Sequence, residues 1–259
     1  MSLTANGNKK IAFYDKIRII VSYFLLQKSK ERNNLAKGKL IVIESGTDAS
    51  GKATQTQLLY NRLAEENYRV RKISFPDYDS ESSSLVKMYL RGDFGHDPND
   101  VNGYITSTFF AVDRFASFTT KWGDFYNSGG IIICDRYTTS NMVHQGAKLE
   151  AEEKDKFLDW LADLEFNLYG LPTPDKVFFL NVPPTLSNEL MKNRLNKITG
   201  QKEKDIHEND SDYLIKSYNH SLYVAEKYNW VNIQCINNNT LRPIQDIHEE
   251  IYNQLKQIL

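Results

Sequence analysis

No apolar run in this chain is long enough to span a bilayer. The nearest, IAFYDKIRIIVSYFLLQ at residues 11–27, is interrupted by Asp15, Lys16 and Arg18, which also makes it a poor secretory signal. Cysteine is scarce. Cys134 and Cys235 each close an apolar run, and neither has histidines at metal-ligand spacing, so a disulfide scaffold or zinc module is excluded. Both read as small buried core residues in a reducing cytoplasm. Charge of one sign is lacking too: 32 basic against 33 acidic residues leave a net −1. That balance excludes a nucleic-acid-coating surface, and any anionic ligand must be held by local basic groups. There is no internal repeat and no low-complexity tract.

What is present is the composition of one globular domain, preceded by an extension. Phe13, Ile17, Ile20, Val21 and Phe24 share one face of a helix within residues 11–27. That stripe must cover something: the chain's own domain, a second subunit or a membrane surface. KSKERNNLAKG (28–38) reads as a linker, giving residues 1–38 as tail, helix and linker and 39–259 as the main domain.

Within that domain, strand-like and helix-like segments alternate. KLIVIES (39–45), YRVRKISF (68–75), IIICD (131–135), KVFFLNV (176–182) and VNIQCIN (231–237) read as strands, and 53–67, 81–91 and 101–127 as helical stretches. Near-continuous apolar strands suit a parallel sheet covered on both faces. The expected fold is a doubly wound α/β domain of about five parallel strands with helices on both faces. LNKITGQKEKDIHENDSD (195–212) is almost wholly polar and reads as a solvated loop or a mobile lid.

The chemistry concentrates in GTDASGKATQ (46–55). Gly46, Ser50, Gly51 and Lys52 supply G-x-x-x-x-G-K between a strand and a helix, the context in which backbone N–H groups cradle phosphates. Lys52 would place positive charge on the transferring phosphoryl group. Ala53 stands where such loops carry a magnesium-holding hydroxyl. Thr54 is one helical step round and more suited to a phosphate nearer the nucleoside. Asp135, at the carboxyl end of IIICD, is the candidate carboxylate for magnesium.

With that loop, FPDY (75–78), FFAVDRF (109–115) and CDRYTTSNMVHQGAK (134–148) in hand, the sequence from about Lys39 onward resembles the thymidylate kinase family of P-loop nucleoside-monophosphate kinases. The resemblance implies phosphoryl transfer from ATP to dTMP with Mg²⁺, in a cytoplasmic homodimer. It implies Asp48 at the deoxyribose 3′-hydroxyl, Phe110 stacked on thymine, Arg114 at the base's carbonyl edge, Asn141 at N3, Arg136 on the acceptor phosphate, and Phe75 and His144 at the acceptor site. Where family members without a loop arginine supply a catalytic one from the lid, this lid offers the positive charges of Lys197, Lys202 and Lys204, with Arg194 just before it as a donor-nucleotide contact.

The departures are Ser45 in place of a glutamate, Tyr78 where an arginine is usual, His144 where an aromatic is usual, and no arginine in the loop. They leave two alternatives open, a kinase for another deoxynucleoside monophosphate and a catalytically weakened nucleotide-binding regulator.

Overall fold

The computed structural model describes residues 37–191, 211–238 and 240–259. The amphipathic segment at 11–27 lies outside them, as does the lid stretch from 195 to 210 with Lys197, Lys202 and the neighbouring Arg194. Five parallel strands form one sheet in the order β2-β3-β1-β4-β5: β1 Lys39–Glu44, β2 Val70–Ser74, β3 Ile131–Asp135, β4 Lys176–Asn181 and β5 Val231–Gln234. The helices are α1 Lys52–Glu65, α2 Ser84–Arg91, α3 Gly103–Ser117, α4 Gly123–Asn127, α5 Thr138–His144, α6 Ala151–Ala162, α7 Pro184–Met191, α8 Ser211–Lys227 and α9 Ile244–Leu255. This is the expected doubly wound architecture.

Residue type sorts the strands by position. The three most apolar runs, β1, β3 and β4, take the centre, buried along nearly their whole length. The polar-alternating VRKIS and VNIQ take the edges, where half of each strand meets solvent. Along β1, Ile41 and Ile43 face one core with Leu59, Leu63, Ile251 and Leu255. Leu40 and Val42 face another with Trp122, Cys134 and Tyr137. Strand period two thus feeds both layers. Each fully buried Ile or Leu contributes about 1.5–3 kcal/mol by leaving water.

Three boundaries differ from the sequence reading. The helix expected over 101–127 is α3, then a π-type turn at Phe118–Trp122, then α4. VNIQCIN splits at Cys235: Ile236–Asn237 (β6) pairs antiparallel with Thr240–Leu241 (β7) in a separate two-stranded sheet. Residues 211 and 212 open α8 rather than closing a loop. Both cysteines are free and buried, and burial pushes the Cys235 thiol up to about 12, so neither is a ready nucleophile. Among the described residues no helix is long and apolar enough to cross a membrane.

Candidate active site

The parallel register pairs Ile43 with Asp135, so β1 and β3 end side by side and their connections open into one crevice. Ligands of open α/β sheets bind at this carboxyl edge. The loop leaving β1 turns through Ala49 and Gly51, both at positive φ (54° and 91°), and enters α1 with no side-chain cap. Gly51 is the residue that tolerates such a backbone without strain. Gly46 is needed for space, since a Cβ there would stand 2.1 Å from Ser221 Oγ and 3.1 Å from the Tyr218 backbone of α8.

Lys52 is buried, and its ammonium donates to Ser45 Oγ (2.5 Å), Thr47 O (2.9 Å) and Ser50 Oγ (3.3 Å). Ser45, a departure from the family pattern, is therefore part of the loop's own hydrogen bonding. It accepts from Lys52 and Ser50 and donates to Thr47 O at 2.6 Å. Burial, then the neighbouring Arg136, lower the Lys52 pKa to about 8, while Asp48, Glu44 and Asp135 oppose the shift. The same five groups are thus within electrostatic reach of one another. Ala53 and Thr54 lie exposed at the start of α1.

Opposite the loop, Arg136 follows β3 at φ 67°, an uncommon backbone for a side chain of this size. Its Nη2 donates to Asp48 Oδ1, and its Nη1 lies 3.2 Å from His144 Nε2 and 3.9 Å from Glu44 Oε1. Burial would lower its pKa, but Asp48, Glu44 and Asp135 outweigh that and hold it charged. Glu44 is wholly buried and accepts from Thr139 Oγ1 (2.7 Å), Ser140 Oγ (2.6 Å) and Ser45 N (3.0 Å). It ties the loop to the first turn of α5. His144 Nδ1 meets Ser217 Oγ of α8 at 2.8 Å.

The residues that the resemblance assigns to the base are placed differently from one another. Phe110 is half-buried in a small cluster, edge-on to Tyr89 with centroids 6.4 Å apart. Arg114 is 1% exposed and clamped bidentately on Glu165, with both N–H···O distances 2.6 Å, while Nη1 donates to Tyr137 O. Three of its five N–H groups are engaged there, which fixes the plane of the guanidinium. Asn141 is buried, with Nδ2 on Ser107 O at 3.1 Å. Phe75 is buried in the core against Tyr137, and its backbone N–H donates to Asp135 O. Sequence reasoning did not single out Glu165 or Ser217, whose partners lie 51 and 73 residues away.

Asp135 is buried, and its Oδ1 has no hydrogen-bond partner. An orphaned carboxylate oxygen of this kind suits a cation or its water shell. No cluster of three or more metal-ligating side chains exists among the described residues.

A thymidylate kinase family model matches residues 43–251. The chain belongs to the thymidylate kinase family. Its relatives include the thymidylate kinase of Plasmodium falciparum, 27% identical over 86% of this chain and 91% of that protein. The thymidylate kinase of Mycobacterium tuberculosis H37Rv is 30% identical over 67% of this chain and 79% of its own length. In three dimensions the chain resembles the thymidylate kinase structure from Candida albicans, with TM-score 0.61 and 20% identity, covering 85% of this chain and 92% of that one. As a member of the family the chain is a phosphotransferase with ATP as phosphate donor.

Proposed function

We propose that this crevice transfers the terminal phosphoryl group of ATP to dTMP, giving ADP and dTDP. The observation that supports this best is the meeting of Lys52 with the Arg136–Asp48 pair in one crevice: a donor-phosphate lysine faces an acceptor-phosphate arginine. These groups bond to protein oxygens in the structure, and the two nucleotides exchange those contacts for phosphates and a sugar hydroxyl. Asp48 then accepts from the deoxyribose hydroxyl and Arg136 turns to the acceptor phosphate.

An oxygen of that phosphate attacks the γ-phosphorus in line as the bond to the β–γ bridging oxygen breaks, and ADP leaves with that electron pair. Lys52 moves with the charge, and the rate comes from alignment and electrostatics, not from a covalent intermediate. Mg²⁺ would supply charge neutralisation on the phosphates, and Asp135, whose Oδ1 has no hydrogen-bond partner, is the residue that would hold it. Phe110 stacks on the base, Asn141 offers its amide oxygen to N3–H, and Arg114, oriented by Glu165, donates its remaining N–H groups to a carbonyl.

A homodimer is supported by the outer face of α3. Ile105, Val112 and Phe115 are 53%, 43% and 43% exposed at helical spacing, and Leu168 beyond them is 72% exposed. An apolar stripe of this width suits a second copy.

The deciding experiment is ADP formation from ATP and Mg²⁺ with each deoxynucleoside monophosphate in turn. Turnover that requires dTMP supports the reading. Turnover with a different acceptor transfers the role to that nucleotide, and ATP binding without acceptor-dependent turnover overturns it.

A further inference from the structure

Lys148 ends the motif CDRYTTSNMVHQGAK, in the 3₁₀ turn Gly146–Lys148 that follows α5. Its ammonium is turned inward, where a lysine head is rarely found. It donates to Tyr89 Oη at 2.8 Å, Val101 O at 3.1 Å and Thr106 Oγ1 at 3.5 Å. Tyr89 and Thr106 are 1% and 0% exposed. Each of their hydroxyls spends its own hydrogen elsewhere, Tyr89 on Pro98 O (3.4 Å) and Thr106 on Asn102 O (3.1 Å), so both present lone pairs to Lys148. Three ammonium hydrogens thus meet three neutral acceptors. Those acceptors belong to α2, to the segment leading into α3, and to the first turn of α3 itself.

The three attachment points adjoin the residues assigned to the acceptor base. Thr106 lies about one turn before Phe110 on α3 and next to Ser107, whose carbonyl accepts from Asn141 Nδ2 at 3.1 Å. Tyr89 stands edge-on to Phe110 with centroids 6.4 Å apart, and Val101 packs in the same cluster. An apolar side chain at 148 would satisfy packing. Three directed donors instead hold the start of α3 against α2 in one geometry.

We infer that Lys148 is a positioning residue for the acceptor nucleotide: its ammonium holds Tyr89 and the first turn of α3, and through them the Phe110 face and Asn141. This role rests on the function proposed above, in which those two residues meet the base. The hold depends on charge. Burial lowers the Lys148 pKa to about 7, against the opposing charge of Asp97. Glu150, Lys154, Lys216 and His220 line the concavity that Lys148 borders, and there the basic groups outnumber the carboxylate. Below pH 7 the ammonium supplies three hydrogens. Above it the neutral amine has two, and one buried oxygen loses its donor. The contribution of Lys148 to acceptor binding therefore declines as pH rises through that value.

The test compares wild type with Lys148→Met, which keeps the length and removes the donors. At about pH 6 the variant is expected to show a KM for dTMP about tenfold higher, shrinking to about two- to threefold near pH 8.5, with KM for ATP unchanged. Titration of the dTMP phosphate is common to both proteins and cancels in the ratio. Tyr89→Phe removes the nearest acceptor but keeps the ring behind Phe110; added to Lys148→Met, it is expected to change that KM by less than about twofold. A ratio independent of pH, or equal changes in both KM values, would reduce Lys148 to packing and overturn the role. Hydrogen–deuterium exchange at 101–110 in the nucleotide-free chain reads the same hold without turnover. It is expected to be faster in Lys148→Met at about pH 6 and to converge with wild type near pH 8.5. Equal exchange in both proteins at the lower pH also overturns the role. If wild type turns over a different deoxynucleoside monophosphate, the KM comparison passes to that nucleotide. Absence of any acceptor-dependent turnover overturns the kinase reading, while the exchange comparison still decides the hold.

Discussion

At the scale of single residues, Lys52 is the most informative group. Its folded pKa of about 8 lies below the ordinary 10.5, so the unfolded chain binds more protons between those values. Its contribution to stability therefore rises with pH across that window, and the protonated lysine costs the empty fold on the order of 3 kcal/mol below it. ATP reverses the preference, because phosphates favour the ammonium. ATP affinity is expected to be flat below pH 8 and to fall above it, with proton uptake on binding near pH 8 to 9. Titration calorimetry in buffers of different ionisation enthalpy reads that uptake, and an absence of uptake would remove Lys52 from the phosphates.

Ala53 is the second informative residue. Exposed at the start of α1, it leaves room for a hydroxyl. Ala53→Ser is expected to lower the Mg²⁺ concentration needed for half-maximal turnover several-fold. An unchanged requirement counts against a cation at this end of the crevice.

Among the secondary-structure elements, the buried Arg114–Glu165 pair joins α3 to the π-type turn Asp163–Leu168, and Thr138 Oγ1 of α5 adds a third bond to Glu165 at 2.7 Å. Three elements converge on one carboxylate. Removing one member of a buried ion pair leaves the other charge uncompensated, at a cost of about 3–5 kcal/mol. Glu165→Ala is therefore expected to lower Tm by several degrees and to raise KM for the acceptor more than KM for ATP. Equal changes in both would confine Glu165 to stability.

This pair also shows where sequence reading stops. FFAVDRF marks Arg114 by its motif, but LADLEFNLYG resembles an ordinary solvated helix face. Nothing local in it indicates that Glu165 is fully buried. Ser217 is equally silent: it is buried in α8 together with His220 and Ser221, and nothing local marks it as the partner of His144. Strand identity was far more legible, because β1, β3 and β4 carry their burial in their composition.

At the scale of the whole molecule, Ile105, Val112 and Phe115 of α3 and the nearby Leu168 are among the large apolar side chains left exposed in the described residues. Phe115→Glu places a charge in the centre of that stripe. Sedimentation velocity is expected to show the wild-type chain as a dimer and the variant as a monomer, its folding stability within about 1 kcal/mol of wild type, as exposed positions allow. A wild-type monomer would leave the stripe without its proposed partner.

The acceptor-side residues were legible only through family resemblance, but the sequence by itself determined the sheet and the phosphate loop. Those depend on periodicity and short spacings, such as G-x-x-x-x-G-K before a helix or an aspartate at the end of an apolar strand, and local backbone geometry enforces them wherever the chain folds. Only the tertiary structure decided how the side chains are spent. It gave Phe75 to the core, set Arg114 on Glu165, joined Arg136 to Asp48 and tied His144 to Ser217. These partners lie 51 to 88 residues apart or belong to separate layers. Their pairing is settled by the crossing of helices over a shared sheet edge, where a buried charge must find its counter-charge or not be buried at all.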